Sequence, residues 1–235
     1  TNAVGSTLSR ETDHGVYLHA GPEVSVASTK TFTCQVVVLS LIALYMARTR
    51  GLSAADGRRM AEGLLALPAA LAYMLEQEAQ VQALAARYAA APYTMFVGRG
   101  VGWPVAREGA LKLMELAYVP CHGLSGADAK HGPLAMIEEG TPVWGLVPPD
   151  DSRDRMIGNL EELKARGAHL LVIADENDER AARLAEAVIP LPPHHSATSP
   201  SLLAVPLQLY AYHAALALGR DVDRPRNLAK AVTVE

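Results

Sequence analysis

Glu108, Lys112 and Glu115 stand four and three residues apart in the octapeptide Glu-Gly-Ala-Leu-Lys-Leu-Met-Glu, 108–115. On a helix turning about 100° per residue, Lys112 falls roughly 40° to one side of Glu108 and Glu115 roughly 20° to the other. Two carboxylates and one amine therefore share a face, while Leu111, Leu113 and Met114 point elsewhere. A carboxylate base beside a cation suits proton transfer at a carbon next to a carbonyl. Taken alone, the octapeptide reads first as a solvated helix face with small ion-pair gains. Its setting raises its interest. It follows Tyr93-Thr94-Met95-Phe96-Val97-Gly98-Arg99-Gly100, an apolar run closed by Gly-x-Gly. That pattern predicts a buried strand, a tight turn and a helix, the edge at which open α/β sheets place ligands.

Other segments are too polar for their surroundings. Residues 125–133 form a small-residue turn in which His131 precedes Gly132-Pro133. An imidazole held there titrates in the range that proton transfer needs, and a surface turn histidine is the plainer alternative. Ser28 and Thr29 form a hydroxyl pair ahead of a long helix. They suit either a plain N-cap or the oxygens of a phosphosugar. Lys230, set among small apolar residues near the end of the chain, is a candidate for partial desolvation and imine formation, with an ordinary exposed lysine as the alternative. His194-His195 lies in a proline-rich loop with no third ligand at a credible spacing, which favours a solvated pair over a metal site. Cys34 and Cys121 match no metal spacing and read as small core residues.

These residues need elements to position them. From residue 93 the pattern predicts strand 93–97, helix 102–117, strand 118–122, a short helix at 125–130, strand 142–147, helix 152–166, strand 168–173, helix 178–186, strand 187–191 and helix 200–217. Such alternation implies βαβ units and a parallel sheet. Upstream it predicts a short helix at 4–13, a short strand at 15–19, a turn at Gly21-Pro22-Glu23 and a long helix at 33–48 capped by Ser28 or Thr29. A second helix starts after Ser53, with Pro68 expected to kink or restart it, and a third spans 76–90. These upstream helices carry no periodic chemistry and are expected to serve core and dimer packing. The expected division is 1–91, 92–219 and a tail at 220–235.

Half of the 235 residues are hydrophobic and the formal net charge is −4, a globular balance with no basic cluster suited to nucleic acid. Two cysteines imply a reducing, cytoplasmic setting. The apolar run 36–46 is shorter than a bilayer span, so no membrane role is expected. Residues 1–30 show no signal-peptide pattern. The sequence opens Thr1-Asn2-Ala3-Val4 with no Met, and is expected to come from within a longer protein.

Val26-Ala27-Ser28-Thr29-Lys30, the 108–115 helix, Lys130-His131-Gly132-Pro133 and the tail with Pro225-Arg226-Asn227-Leu228-Ala229-Lys230 and Val232-Thr233-Val234-Glu235 occur in one order along essentially the whole chain. Together they resemble the isomerase part of the glucosamine-6-phosphate synthase family, the isomerising glutamine–fructose-6-phosphate aminotransferases. The resemblance implies two SIS (sugar isomerase) domains, each a three-layer α/β/α sandwich with a flavodoxin-like parallel sheet. Residues 1–91 would hold the C-terminal part of the first with connecting helices, 92–219 the complete second. It implies Glu115 as the base moving a proton between C1 and C2, Lys112 as its assistant and Glu108 as the orienting carboxylate. Lys230 would form a Schiff base with the open-chain ketose. His131 would open the sugar ring from the neighbouring subunit of a homodimer. Val26, Ala27, Ser28, Thr29 and Ala229 would contact the sugar. No metal or organic cofactor is implied.

The sequence departs from the family in two places. Ala127-Asp128-Ala129 replaces Gly-Glu-Leu, and Cys121-His122-Gly123 replaces Ala-Glu-Ala. The reaction implied is conversion of fructose 6-phosphate, with ammonia from glutamine, to glucosamine 6-phosphate. The alternative is a phosphosugar isomerase or amino-sugar-phosphate deaminase without a glutaminase. The family's glutaminase domain and its first phosphate loops would lie upstream. The 235 residues alone are therefore expected not to hydrolyse glutamine and to bind fructose 6-phosphate poorly.

Overall fold

A computed structural model describes residues 1–230; residues 231–235, with the Val-Thr-Val-Glu part of the tail motif, lie outside the described residues. Five parallel strands form one sheet: β1 (Thr94–Gly98), β2 (Cys121–Ser125), β3 (Pro142–Val147), β4 (His169–Asp175) and β5 (Ala187–Leu191), in the order β2-β1-β3-β4-β5. In register, Thr94 faces Cys121, Met95 faces Val143, Val143 faces Leu170 and Leu171 faces Ala187. β1 and β3 are buried at every position, as a parallel sheet covered on both faces requires. The chain order reverses between β1 and β3, so the crevice at their carboxyl ends is the topological switch point.

The two-residue period of each strand sorts its side chains into two cores. Phe96, Trp144, Leu146, Leu171 and Ile173 pack under α3 (Ala54–Leu75), α4 (Glu78–Tyr88), α5 (Gly102–Ala117) and α8 (Ser199–Ala217). Met95, Val97, Val143, Leu170 and Val172 pack under α6 (Arg153–Lys164) and α7 (Glu179–Leu184). The expected three-layer sandwich is thus formed. α8 is buried almost all round and sets Tyr210 edge-on against Trp144, ring centres 5.0 Å apart. Gly109 lets α5 approach it, since a Cβ there would lie 2.5 Å from Leu207 Cδ1.

Several upstream expectations are corrected. Residues 15–19 form no strand. They form an irregular segment, left-handed at His19 (φ 53°), tied by Leu18 N–H to the Thr1 carbonyl and by the Thr1 main-chain nitrogen to the Val16 carbonyl, each at 3.0 Å; a strand needs a neighbour, and the described residues supply none. α1 shrinks to Thr7–Glu11, and α2 spans Lys30–Thr49. Thr29 is at the N-cap of α2 but no hydroxyl caps it; the Glu23 carboxylate does so instead, accepting from Thr29 N–H at 2.7 Å. α3 runs through Pro68 without a break. α2 has no fully buried residue, but Phe32 and Val37 pack partly buried against the core, so the expected core role is met in part. The helix is 20 residues long and contains an 18-residue window of mean hydropathy 1.6, the length and apolarity of a membrane span, where the run 36–46 alone is too short. β2 starts only at Cys121, because Tyr118 turns left-handed (φ 61°) to end α5. The short helix expected at 125–130 is a pair of 3-10 turns, Asp128–Lys130 and Pro133–Met136.

Candidate active site

α5 carries the ionisable face. Lys112 Nζ lies 2.6 Å from Glu115 Oε2 and 3.5 Å from Glu108 Oε1, with only 3% of the lysine side chain exposed. A buried ammonium is retained only when paired, and here two carboxylates pair it. This is not a solvated face. Burial pushes the Glu108 carboxyl above its ordinary range, Lys112 draws it back, and the neighbouring Glu115 adds to the rise. Glu115, the more exposed of the two carboxylates, keeps the short bond to the ammonium. A cavity of about 490 Å³ opens on the adjoining side of α5, bounded by Glu108, Arg107, Leu111, Met114, Phe32 in the first turn of α2 and His122 of β2, so that Glu108 is the member of the ionisable face that lines it. That volume lies within the range of small-molecule sites.

The tail runs to the C-terminal end of α5. Tyr118 Oη accepts from Arg226 N–H at 2.8 Å, and the guanidinium carbons of Arg226 and Arg220 sit 4.3 and 5.3 Å from the Tyr118 ring centre. Cation–π contacts of this kind add modestly to the single hydrogen bond. Beyond it, Lys230 Nζ donates to the Ser25 carbonyl at 2.7 Å and to the Glu23 carbonyl. Ser25 Oγ donates back to the Val222 carbonyl at 2.8 Å. Two segments some 200 residues apart are thereby stitched together. Lys230 is exposed, which corrects the expectation of a desolvated amine; it is held by main-chain oxygens instead. Of the candidate sugar contacts, Ala27 is buried, Val26 and Ser28 are half-buried, and Thr29 and Ala229 are exposed at this junction.

His131 is exposed at the end of the first 3-10 turn. Its neighbours belong to the opposite layer: Lys130 pairs with Glu162 of α6 at 2.7 Å, and Leu134 and Ile137 pack into the α6 core. No hydrogen bond or ion pair among the described residues joins His131 to Glu108, Lys112 or Glu115. The structure therefore unites Glu108, Lys112 and Glu115, brings the tail to the end of their helix, and leaves His131 elsewhere in this chain. His194 is not solvated as expected: its Nδ1 lies 2.7 Å from the Pro192 carbonyl and its Nε2 2.8 Å from Ser199 Oγ. Cys121 is a buried core thiol as read, donating to the Ala110 carbonyl at 3.1 Å.

Sequence reasoning missed Glu23 and Tyr118. Glu23 sits seven residues ahead of α2, outside the spacing of a capping box. The one signal for Tyr118 was its place between the end of an amphipathic helix and Pro120.

Fold and site together define the class: the chain belongs to the SIS domain family, whose model matches residues 1–45 and 89–218. Within that class it is similar to glutamine–fructose-6-phosphate aminotransferase [isomerizing] of Chlorobaculum tepidum, 44% identical over 234 residues, and to that of Corynebacterium glutamicum, 44% identical over 239 residues. Each match covers all of this chain and 38% of the relative, so the chain spans about two-fifths of their length. Among solved structures, the C-terminal domain of glucosamine-fructose-6-phosphate aminotransferase from Francisella tularensis matches with a TM-score of 0.90 and 33% identity, covering 95% of this chain and 63% of that one.

Proposed function

We propose that this chain is the isomerase part of a cytoplasmic glutamine–fructose-6-phosphate aminotransferase. The observation that carries the proposal is the buried Lys112 ammonium clasped by Glu108 and Glu115, with Glu108 also lining a cavity of ligand size. The similarity to aminotransferases along the whole chain supplies the substrate class. The Lys230 amine, having shed a proton, attacks C2 of open-chain fructose 6-phosphate; a C–N bond forms and the former carbonyl oxygen leaves as water. The imine acidifies the C1–H bond more than the ketone does. Glu115 takes that proton and returns it to C2, while the Lys112 ammonium stabilises negative charge developing on oxygen. Before that proton moves, ammonia replaces Lys230 at the imine carbon and frees the lysine amine, so that protonation at C2 leaves the incoming nitrogen on the sugar. These steps use side chains alone, with no metal or organic cofactor.

Three further assignments belong to this reading. Residues 1–91, 92–219 and 220–235 are the end of a first SIS unit with its connecting helices, a second SIS unit, and the active-site tail. The site is completed in a homodimer by His131 of the partner subunit, in keeping with a histidine exposed on the far layer of its own chain. The relatives' greater length accommodates an upstream glutaminase domain. The test is Glu115→Gln in the native-length protein. Solvent deuterium entering the sugar at C1 and C2, followed by NMR, should slow by about 10²- to 10⁴-fold while sugar binding persists. Exchange at the wild-type rate would overturn the base assignment.

A further inference from the structure

We infer that Glu23 is a positioning residue for the Lys230 amine, an inference that rests on the imine reading above. The Glu23 carboxylate gathers the first turn of α2: it accepts from Thr29 N–H at 2.7 Å, from Thr29 Oγ1 at 3.4 Å and from Thr31 Oγ1. Those bonds fix the loop 23–29 to a 20-residue helix. The main chain of the same loop then holds the tail amine, through the carbonyls of Glu23 itself and of Ser25. A long lysine side chain on an exposed tail has ample rotamer freedom to lose. Two carbonyls on a pinned loop remove that freedom before substrate arrives, and main-chain acceptors need an anchored backbone to do so. The anchoring carboxylate bonds Thr29 and Thr31 and not the Lys230 amine; it acts on the amine through the loop.

The same geometry couples two events. The oxygens that hold Lys230 lie in the loop that carries Val26, Ala27 and Ser28. A sugar settling on this loop meets the amine at the spot where the loop keeps it, and the amine must leave its carbonyls to use its lone pair. Glu23 thereby sets both the starting point and the register of the attack.

The test traps the imine. The native-length protein is incubated with fructose 6-phosphate and cyanoborohydride, which delivers hydride to the C=N bond, and the adduct is located by mass spectrometry. At saturating sugar, Glu23→Ala should form the Lys230 adduct about tenfold more slowly, a fraction of the hundredfold that a 1 Å misplacement can cost. Binding of glucitol 6-phosphate, which has no carbonyl and forms no imine, should weaken far less than the trapping rate falls. Glu23→Gln should recover most of the rate, because its amide oxygen still accepts from Thr29 N–H and the Thr31 hydroxyl can reverse its role. Thr31→Val removes one donor without disturbing the chain and should give an intermediate loss; it decides the matter if Glu23→Ala fails to fold. Wild-type trapping rates in Glu23→Ala, or in Thr31→Val where the alanine variant is unfolded, overturn the positioning role. Absence of any Lys230 adduct in the wild-type protein overturns the imine reading instead, and the inference with it.

Discussion

Lys112→Met keeps the aliphatic stem of the lysine and deletes its charge. Glu108 and Glu115 would then share one face with 15% and 22% of their side chains exposed. At an effective dielectric constant of about 20, the attractions lost at 3.5 and 2.6 Å are roughly 5 and 6 kcal/mol before desolvation is counted. Leaving the ammonium out of the protein offsets much of this, and breaking a buried pair costs about 3–5 kcal/mol net. The stranded carboxylates have one escape, which is to bind a proton. For a glutamate of ordinary affinity that costs about 3.7 kcal/mol at pH 7 and about 1 kcal/mol at pH 5. Glu108 already lies above its ordinary range through burial, so it is the group that takes the proton. The folded variant then holds a proton that the unfolded chain releases. Its stability is therefore full below the ordinary carboxylate range and is lost as pH rises through the elevated value. Urea unfolding at pH 7 should show the variant destabilised by about 3–4 kcal/mol, shrinking to about 1 kcal/mol at pH 5. An equal loss at both pH values would refute the reasoning, since it would mean that packing, not charge, sets the cost.

Three other perturbations follow from the same coordinates. Gly109→Ala drives a methyl into Leu207 Cδ1, 2.5 Å away, and should lower stability by about 1–3 kcal/mol, read from the thermal midpoint. Tyr118→Phe removes the acceptor for Arg226 N–H but keeps the ring under both arginines; losing about 1 kcal/mol of tail anchoring should speed tryptic cleavage after Arg226 about fivefold, and an unchanged rate would place the anchor elsewhere. Asp178 caps α7 and accepts Arg153 at 2.5 and 2.7 Å. Burial pushes its carboxyl up, but the Arg153 bonds and the Ala181 N–H more than reverse this and leave it below the ordinary value. Its contribution is present above the usual aspartate range and lost as pH falls through the lowered value. Asp178→Asn should therefore cost about 1–3 kcal/mol at pH 7, with the gap to wild type closing below about pH 4 in denaturant midpoints.

Much of this molecule was legible in the sequence where a local period dictates the outcome. Strands β3 and β5 begin and end where expected, and the 108–115 face formed because 3.6 residues per turn admits no other arrangement. The family resemblance named both the tail and the loop before α2, and the two meet where Lys230 reaches the Glu23 and Ser25 carbonyls. What stayed hidden was set by long-range partners. Glu23 acts as a cap only because the loop folds back onto α2, and no fixed spacing announces that. Residues 15–19 have strand composition but no neighbour to pair with among the described residues. Lys230 is exposed yet held by the Glu23 and Ser25 carbonyls, and a sequence does not show which carbonyls are free. The outward apolar surface of α2, with Leu39 and Tyr45 at 64% and 72% exposure, is equally invisible to a periodicity that only says where apolar residues lie.

The seal around Cys121 has a practical outcome. Burial lifts its thiol to about 12, so at neutral pH it offers almost no thiolate to an alkylating reagent. The sequence has two cysteines, and the other, Cys34, is half-buried on α2 close to Phe32 at the rim of the cavity. Within these 235 residues a maleimide dye would therefore mark α2 and spare Cys121. Its emission would report, in real time, what settles against that helix.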